Sequence, residues 1–196
     1  MLIETTLTSA KCAVLACDPD IHPGWALLLP AHTPLGWRVG HVSGGGNKPW
    51  LLASPKPLSE ALASARTLAI QAGAQRLVVA CEGQYGEVTD PSIELLTRCR
   101  HRIEACAELA DRRIEVATVP PSSWQAHWLP KVPRKRAKLL AAYRAKGREI
   151  CPWPPPWCEE LQVLGPDPRK TRTRVLNDDC CAAIGIGAYV WAMRNG

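Results

Sequence analysis

Apolar runs of five or six residues, several of them rich in β-branched side chains and each bounded by turn formers, recur at 12–17, 25–29, 37–42, 77–81 and 114–119. Runs of that length read as five β-strands. Between the third and fourth, the apolar positions change period: Leu58, Ala61, Leu62, Ala65, Leu68 and Ala69 follow helical spacing, and Gly73 stands where a helix would stop. A second helix is predicted over 91–110 from Ile93, Leu96, Ile103, Ala107 and Leu109. After the fifth strand, Ser122 or Ser123 can cap a short helix carrying Trp124 and Trp128, and Pro133 can open another that runs to Lys146 and stops at Gly147. A final helix is predicted from Asn177 or Asp178 to Met193. Three strands in close succession, followed by alternating helices and strands, suit a mixed sheet with helices on both faces, hence an α/β fold.

Composition sharpens this outline. With 196 residues, 46% of them apolar, the chain suits one compact domain and is short for two. Its net charge of +6 is unevenly distributed. Eight bases and no acid lie in 131–148: Lys131, Arg134, Lys135, Arg136, Lys138, Arg144, Lys146 and Arg148. Arg169, Lys170, Arg172 and Arg174 add four more, and the rest of the chain is then net acidic. Such a distribution suits a polyanion gripped along one side, and a solvated surface helix is the plainer alternative for 131–148. The nine cysteines have neither zinc-site spacing nor an even count, and read as buried free thiols in a reducing cytoplasm. The longest apolar segment, 180–193, is short for a membrane span, so no membrane association is expected.

Two stretches fit no regular element. The glycine-rich run 43–49 lacks the Gly-Lys-Ser/Thr ending of a phosphate loop and reads as a flexible connection. A Pro/Trp-rich insertion at about 151–174 opens with stiff polyproline carrying two indoles.

Candidate chemistry lies in the acids. Asp18 directly follows the first apolar run, and Glu82 directly follows the fourth. If those strands are parallel neighbours, both carboxylates leave the sheet at the same end, where they repel unless a divalent cation binds between them. Asp178 and Asp179 begin the last helix, a position from which acids project over a strand end; acids in a first turn also serve as simple caps.

These residues resemble the RuvC-type Holliday junction resolvases, particularly the phage-like members. Ala16-Cys17-Asp18-Pro19-Asp20 with Gly24-Trp25-Ala26 resembles the first hairpin of that family, with Asp20 where the motif usually has glycine. Val79-Ala80-Cys81-Glu82-Gly83-Gln84-Tyr85 is similar to its second acidic motif, and Val119-Pro120-Pro121-Ser122-Ser123-Trp124 to its Val-x-Pro-Ser-x-Trp segment. The run from Asp178 to Gly187 resembles the closing helix, with Ala182 where the family places a further acid. The likeness extends over roughly 12–148 and 176–193.

The resemblance implies a ribonuclease H-like fold and hydrolysis of phosphodiesters by two Mg²⁺ ions, with Mn²⁺ as a substitute, held by Asp18, Glu82, Asp178 and Asp179. It implies a homodimer acting on four-way junctions, with the helix over 91–110 as the interface and no small-molecule cofactor. Gln84 and Tyr85 would insert at the strand exchange point, and the bases of 131–148 and 169–174 would hold phosphates. Three other readings compete. They are a related nuclease acting on RNA–DNA hybrids or branched DNA, a metal-free nucleic-acid-binding relative that Ala182 keeps open, and a sugar-kinase-like ATP fold, which the missing phosphate motif disfavours.

Overall fold

The computed structural model describes residues 11–19, 24–30, 37–41, 56–83, 91–110, 114–150 and 178–195. In chain order the elements are β1 (Cys12–Asp18), β2 (Gly24–Leu28), β3 (Trp37–His41), α1 (Lys56–Gln71), β4 (Arg76–Glu82), α2 (Pro91–Ala110), β5 (Glu115–Val119), α3 (Pro121–Trp128), α4 (Arg136–Ile150) and α5 (Asp178–Asn195). All five expected strands form, and they join in one sheet of order β3-β2-β1-β4-β5. β2 runs antiparallel to both β1 and β3, whereas β4 is parallel to both β1 and β5. The sheet is therefore mixed, with β1 at its centre.

Alternation along the strands sorts side chains into two layers. Cys12, Val14 and Ala16 of β1 and Val78 and Ala80 of β4 pack in one layer with residues of α3, α4 and α5. Ala13, Leu15, Cys17, Leu77, Val79 and Cys81 face the other, with Leu62, Ala65 and Ala69 of α1 and Cys99, Ile103, Cys106 and Ala107 of α2. Both central strands are buried on both faces, which is why their sequences are continuous apolar runs rather than alternating ones.

Helix α5 lies on β1 and β2 and is overlaid by α3 and α4. Two glycines make this sandwich thin enough. A Cβ on Gly187 would stand 2.6 Å from Leu28 Cδ1 and 3.2 Å from the Ala16 Cβ beneath it. A Cβ on Gly185 would stand 2.5 Å from Trp128 Cε3 and 2.6 Å from Trp124 Cζ3 on the other side. Side chains at both positions would push the helix off the sheet or the indoles off the helix.

The helices depart from expectation in three places. Neither Ser122 nor Ser123 caps α3: Pro120 is its N-cap with no side-chain bond, and Pro121 occupies the first turn, where a missing N–H costs nothing. The basic helix does not open at Pro133 or stop at Gly147; α4 begins at Arg136 and continues through a buried Gly147 to Ile150. Arg134 and Lys135 therefore precede the helix. One face of α4 is apolar: Tyr143 is buried, and Leu139, Leu140 and Ala142 pack against the same core. Finally, Leu109 is 85% exposed, since the buried stripe of α2 runs through Cys99, Ile103, Cys106 and Ala107 instead.

None of the seven described cysteines is in a disulfide, and all seven are buried, as expected of structural thiols. Among the described residues, no helix is long and apolar enough to cross a membrane. Asp20, the run 43–49 and the insertion at 151–174 lie outside the described residues.

Candidate active site

Asp18 is the last residue of β1 and Glu82 the last of β4. In the parallel pairing of these strands Cys17 lies opposite Cys81, so the two acids occupy the next rung, at the carboxyl ends of adjacent strands about 4.8 Å apart. Both follow the even-numbered face that includes Ala16 and Ala80, and so point toward the layer of α3, α4 and α5. Opposite Asp18 on β2 stands Gly24, which presents no side chain. After Glu82 the chain is tied to the end of β5 by the Gly83 N–H, which donates to the Val119 carbonyl at 2.8 Å.

The turn from β5 into α3 delivers Trp124 to this strand end. Its Nε1–H donates to Glu82 Oε1 at 3.2 Å. Burial pushes the Glu82 carboxyl above its ordinary range, and the indole bond works in the opposite direction by stabilising the anion. Tyr143, from α4, lies with its ring 5.1 Å from Trp124 and 5.8 Å from Trp128. Its phenol is held far above its usual value by burial first and then by the negative charges of Glu82 and Asp18, while a 2.7 Å bond donated by Gln125 Nε2 to its Oη opposes the shift. A neutral phenol and the Trp124 indole therefore stand beside the carboxylates, and Trp128 packs against both of those rings.

At the start of α5, Asp178 is turned toward α4. Arg144 donates from Nε to Oδ1 at 2.5 Å and from Nη2 to Oδ2 at 2.8 Å, and this pair holds the guanidinium still more firmly in its charged form. The Asp179 side chain lies outside the described part of the chain. Ala182, one turn further on, is 4% exposed and sits among the core residues of the sheet and α3. Among the described residues, no group of three or more His, Cys, Asp or Glu stands close enough to hold a metal ion. What the structure does bring together is the pair Asp18 and Glu82, both half-buried. Hard carboxylate oxygens that share one face fit a divalent cation, which would also offset the unfavourable burial of charge at Glu82.

The basic tract belongs to the same layer of helices. Residues 129–135 link α3, which carries Trp124, to α4, which carries Tyr143. Lys131, Arg134, Lys135, Arg136, Lys138 and Arg148 are exposed. Arg144 is engaged by Asp178, and Lys146 pairs with Glu149 at 2.7 Å, an acid one residue beyond the acid-free window. Gln84, Tyr85, Arg169, Lys170, Arg172 and Arg174 lie outside the described residues. An open depression lined by Ala105, Glu108, Leu109 and Ile114 is on the other side of the sheet, away from the carboxylates.

Sequence reasoning missed Trp124, Gln125 and Tyr143 as parts of the site. Trp124 stood in a segment singled out by its pattern, but nothing there points to a bond with a residue 42 positions earlier. Tyr143 was masked by the bases around it.

Neither a protein-family model nor a curated protein sequence matches the chain. Solved structures do. Thermus thermophilus RuvC in complex with a Holliday junction substrate superposes with a TM-score of 0.54 at 14% identity, over 94% of this chain and 97% of that one. A second structure of Thermus thermophilus RuvC gives a TM-score of 0.52 at 15% identity, over 93% of this chain and 95% of the other. The chain has the RuvC-type, ribonuclease H-like fold.

Proposed function

We propose that this chain is a divalent-metal-dependent endonuclease that resolves four-way DNA junctions by paired, symmetric nicks. The observation that carries the reading is the placement of Asp18 and Glu82 side by side on one face of two adjacent parallel strand ends. The fold supports it, since a protein of the same architecture is known bound to a Holliday junction. So does the exposed basic tract beginning at Lys131, which follows α3 directly.

Asp18 and Glu82 would hold Mg²⁺ or Mn²⁺ together with a carboxylate from the start of α5, and the bound metal would supply an activated water and stabilise the leaving 3′ oxygen. The chain's own groups divide the remaining work. Trp124 fixes one oxygen of Glu82. Tyr143, kept protonated, adds no negative charge where a phosphate must approach. The bases of 131–138 neutralise phosphates of the arms, and Gln84 and Tyr85 are assigned to the strand exchange point. Two strands must be cut, so two copies of the chain related by a two-fold axis would act together.

The test is one cleavage panel with Mg²⁺: four-way junction, fork, flap, plain duplex and RNA–DNA hybrid. Opposed nicks in the junction are expected, with Asp18→Asn and Glu82→Gln abolishing cleavage and sparing binding. Cleavage unchanged in both variants overturns the assignment, and preference for the hybrid or a flap replaces the substrate. The Arg144–Asp178 pair and the buried Ala182 favour a second reading, a nucleic-acid-binding protein without catalysis. Junction binding by the wild-type chain with no cleavage in either metal would establish it.

A further inference from the structure

Three indoles have their ring nitrogens in the protein interior, and they are not equivalent. Among the described residues Trp25 Nε1 and Trp128 Nε1 are buried with no hydrogen-bond partner, whereas Trp124 Nε1 reaches Glu82 Oε1. A buried N–H without a partner is costly, so the cluster bears that cost at Trp128 while Trp124 is aimed at a carboxylate. The aim is rigid. Trp124 is 1% exposed, its ring is 5.9 Å from Trp128 and 5.1 Å from Tyr143, and its Cζ3 edge meets α5 at Gly185, where a Cβ would come within 2.6 Å. A glutamate at a strand end has three rotatable side-chain bonds, and a single directed donor on one oxygen removes much of that freedom.

We infer that Trp124 is a positioning residue for the cation site: its indole N–H holds Oε1 of Glu82, so that the carboxylate is presented to a divalent ion in one orientation. The inference rests on the reading of Asp18 and Glu82 as the metal-holding pair. Trp124 itself does not touch metal or substrate. Groups that orient a metal-binding carboxylate in this way typically change metal affinity by about tenfold or more when removed.

The test uses the full chain as wild type, Trp124→Phe and Trp128→Phe, with Mn²⁺ binding followed without DNA by loss of the free-ion EPR signal. Trp124→Phe keeps most of the ring volume and removes the donor; it is expected to weaken Mn²⁺ binding about tenfold. Its affinity for a four-way junction in EDTA should be unchanged, and its cleavage deficit should be recovered at higher Mn²⁺. Trp128→Phe removes an N–H that bonds nothing among the described residues and should bind Mn²⁺ as the wild type does. Wild-type Mn²⁺ affinity in Trp124→Phe overturns the inference, as does equal weakening in both variants, which would mark an effect of packing. Failure of the wild type to bind Mn²⁺ at all overturns the metal-holding reading, and the inference with it. A second measurement needs no tryptophan variant: in the ¹⁵N–¹H spectrum, one indole resonance should shift on adding Mg²⁺, and the shift should vanish in Glu82→Gln. No indole responding to Mg²⁺ also overturns it.

Discussion

Arg144 of α4 grips Asp178 of α5 with two nitrogens on two oxygens, at 2.5 and 2.8 Å. A bidentate pair of this kind fixes both side chains more firmly than a single contact. It joins the basic helix to the first turn of the helix that sequence reasoning had nominated for metal binding. With both of its oxygens engaged, Asp178 is the weaker candidate for a third ligand and its neighbour Asp179 the stronger. Asp178→Asn should therefore lower junction cleavage by less than about tenfold, and Asp179→Asn should abolish it. Single-turnover rates at saturating Mg²⁺ decide between them; equal losses would show that Asp178 leaves Arg144 for the metal. The pair is 51% exposed at Arg144 and 25% at Asp178, so little stability should depend on it.

Gly185 should not tolerate a side chain. Alanine there gains about 1 kcal/mol of helix propensity, but its Cβ would overlap two rigid indole rings, an overpacking that typically costs about 1–3 kcal/mol. A net loss in thermal stability is expected for Gly185→Ala, together with weaker Mn²⁺ binding through displaced Trp124. Gly187→Ala should cost less, because its closest neighbour is the tip of Leu28, which can rotate. Thermal melts of the two variants side by side measure the difference.

Burial raises the Glu82 carboxyl, and the direction sets a pH dependence. A raised acid favours its protonated form in the folded chain, so its stabilising contribution is complete below the ordinary glutamate value of about 4.3 and is lost as pH rises through the folded value. Without metal, Glu82→Gln should thus melt above wild type at pH 7, and the gap should close near pH 4. Mg²⁺ should raise the melting temperature of the wild type and leave the variant unmoved. A glutamine variant that melts below wild type at pH 7 would contradict the account.

The exposed bases before and within α4 should set the salt dependence of junction binding. Each phosphate contact contributes about 0.9 to the slope of log affinity against log salt on duplex DNA. Neutralising Arg134, Lys135, Arg136 and Lys138 together should therefore flatten the slope by as much as about 3–4, measured by fluorescence anisotropy across a salt series. An unaltered slope would make this tract an ordinary solvated surface.

Much of the fold was legible because burial on two faces leaves a direct trace. The runs 12–17 and 77–81 are apolar throughout since β1 and β4 are covered on both sides, and the acid that ends each run marks where the strand leaves the core. The helix over 91–110 carries the helical period and forms with the expected limits. In the basic tract the helix bounds were shifted, and counting charges showed eight bases but not that Tyr143, among them, turns inward to face two carboxylates.

By itself, the sequence determined the five strands, their order of appearance and the acids at the ends of two of them, because local period and burial are written residue by residue. Only the tertiary structure decided that Asp18 and Glu82 stand on one rung, that Trp124 reaches Glu82 across 42 positions, and that Asp178 belongs to Arg144. These relations depend on strand order, parallel register and the thinness of α5 at Gly185 and Gly187, which no local pattern encodes.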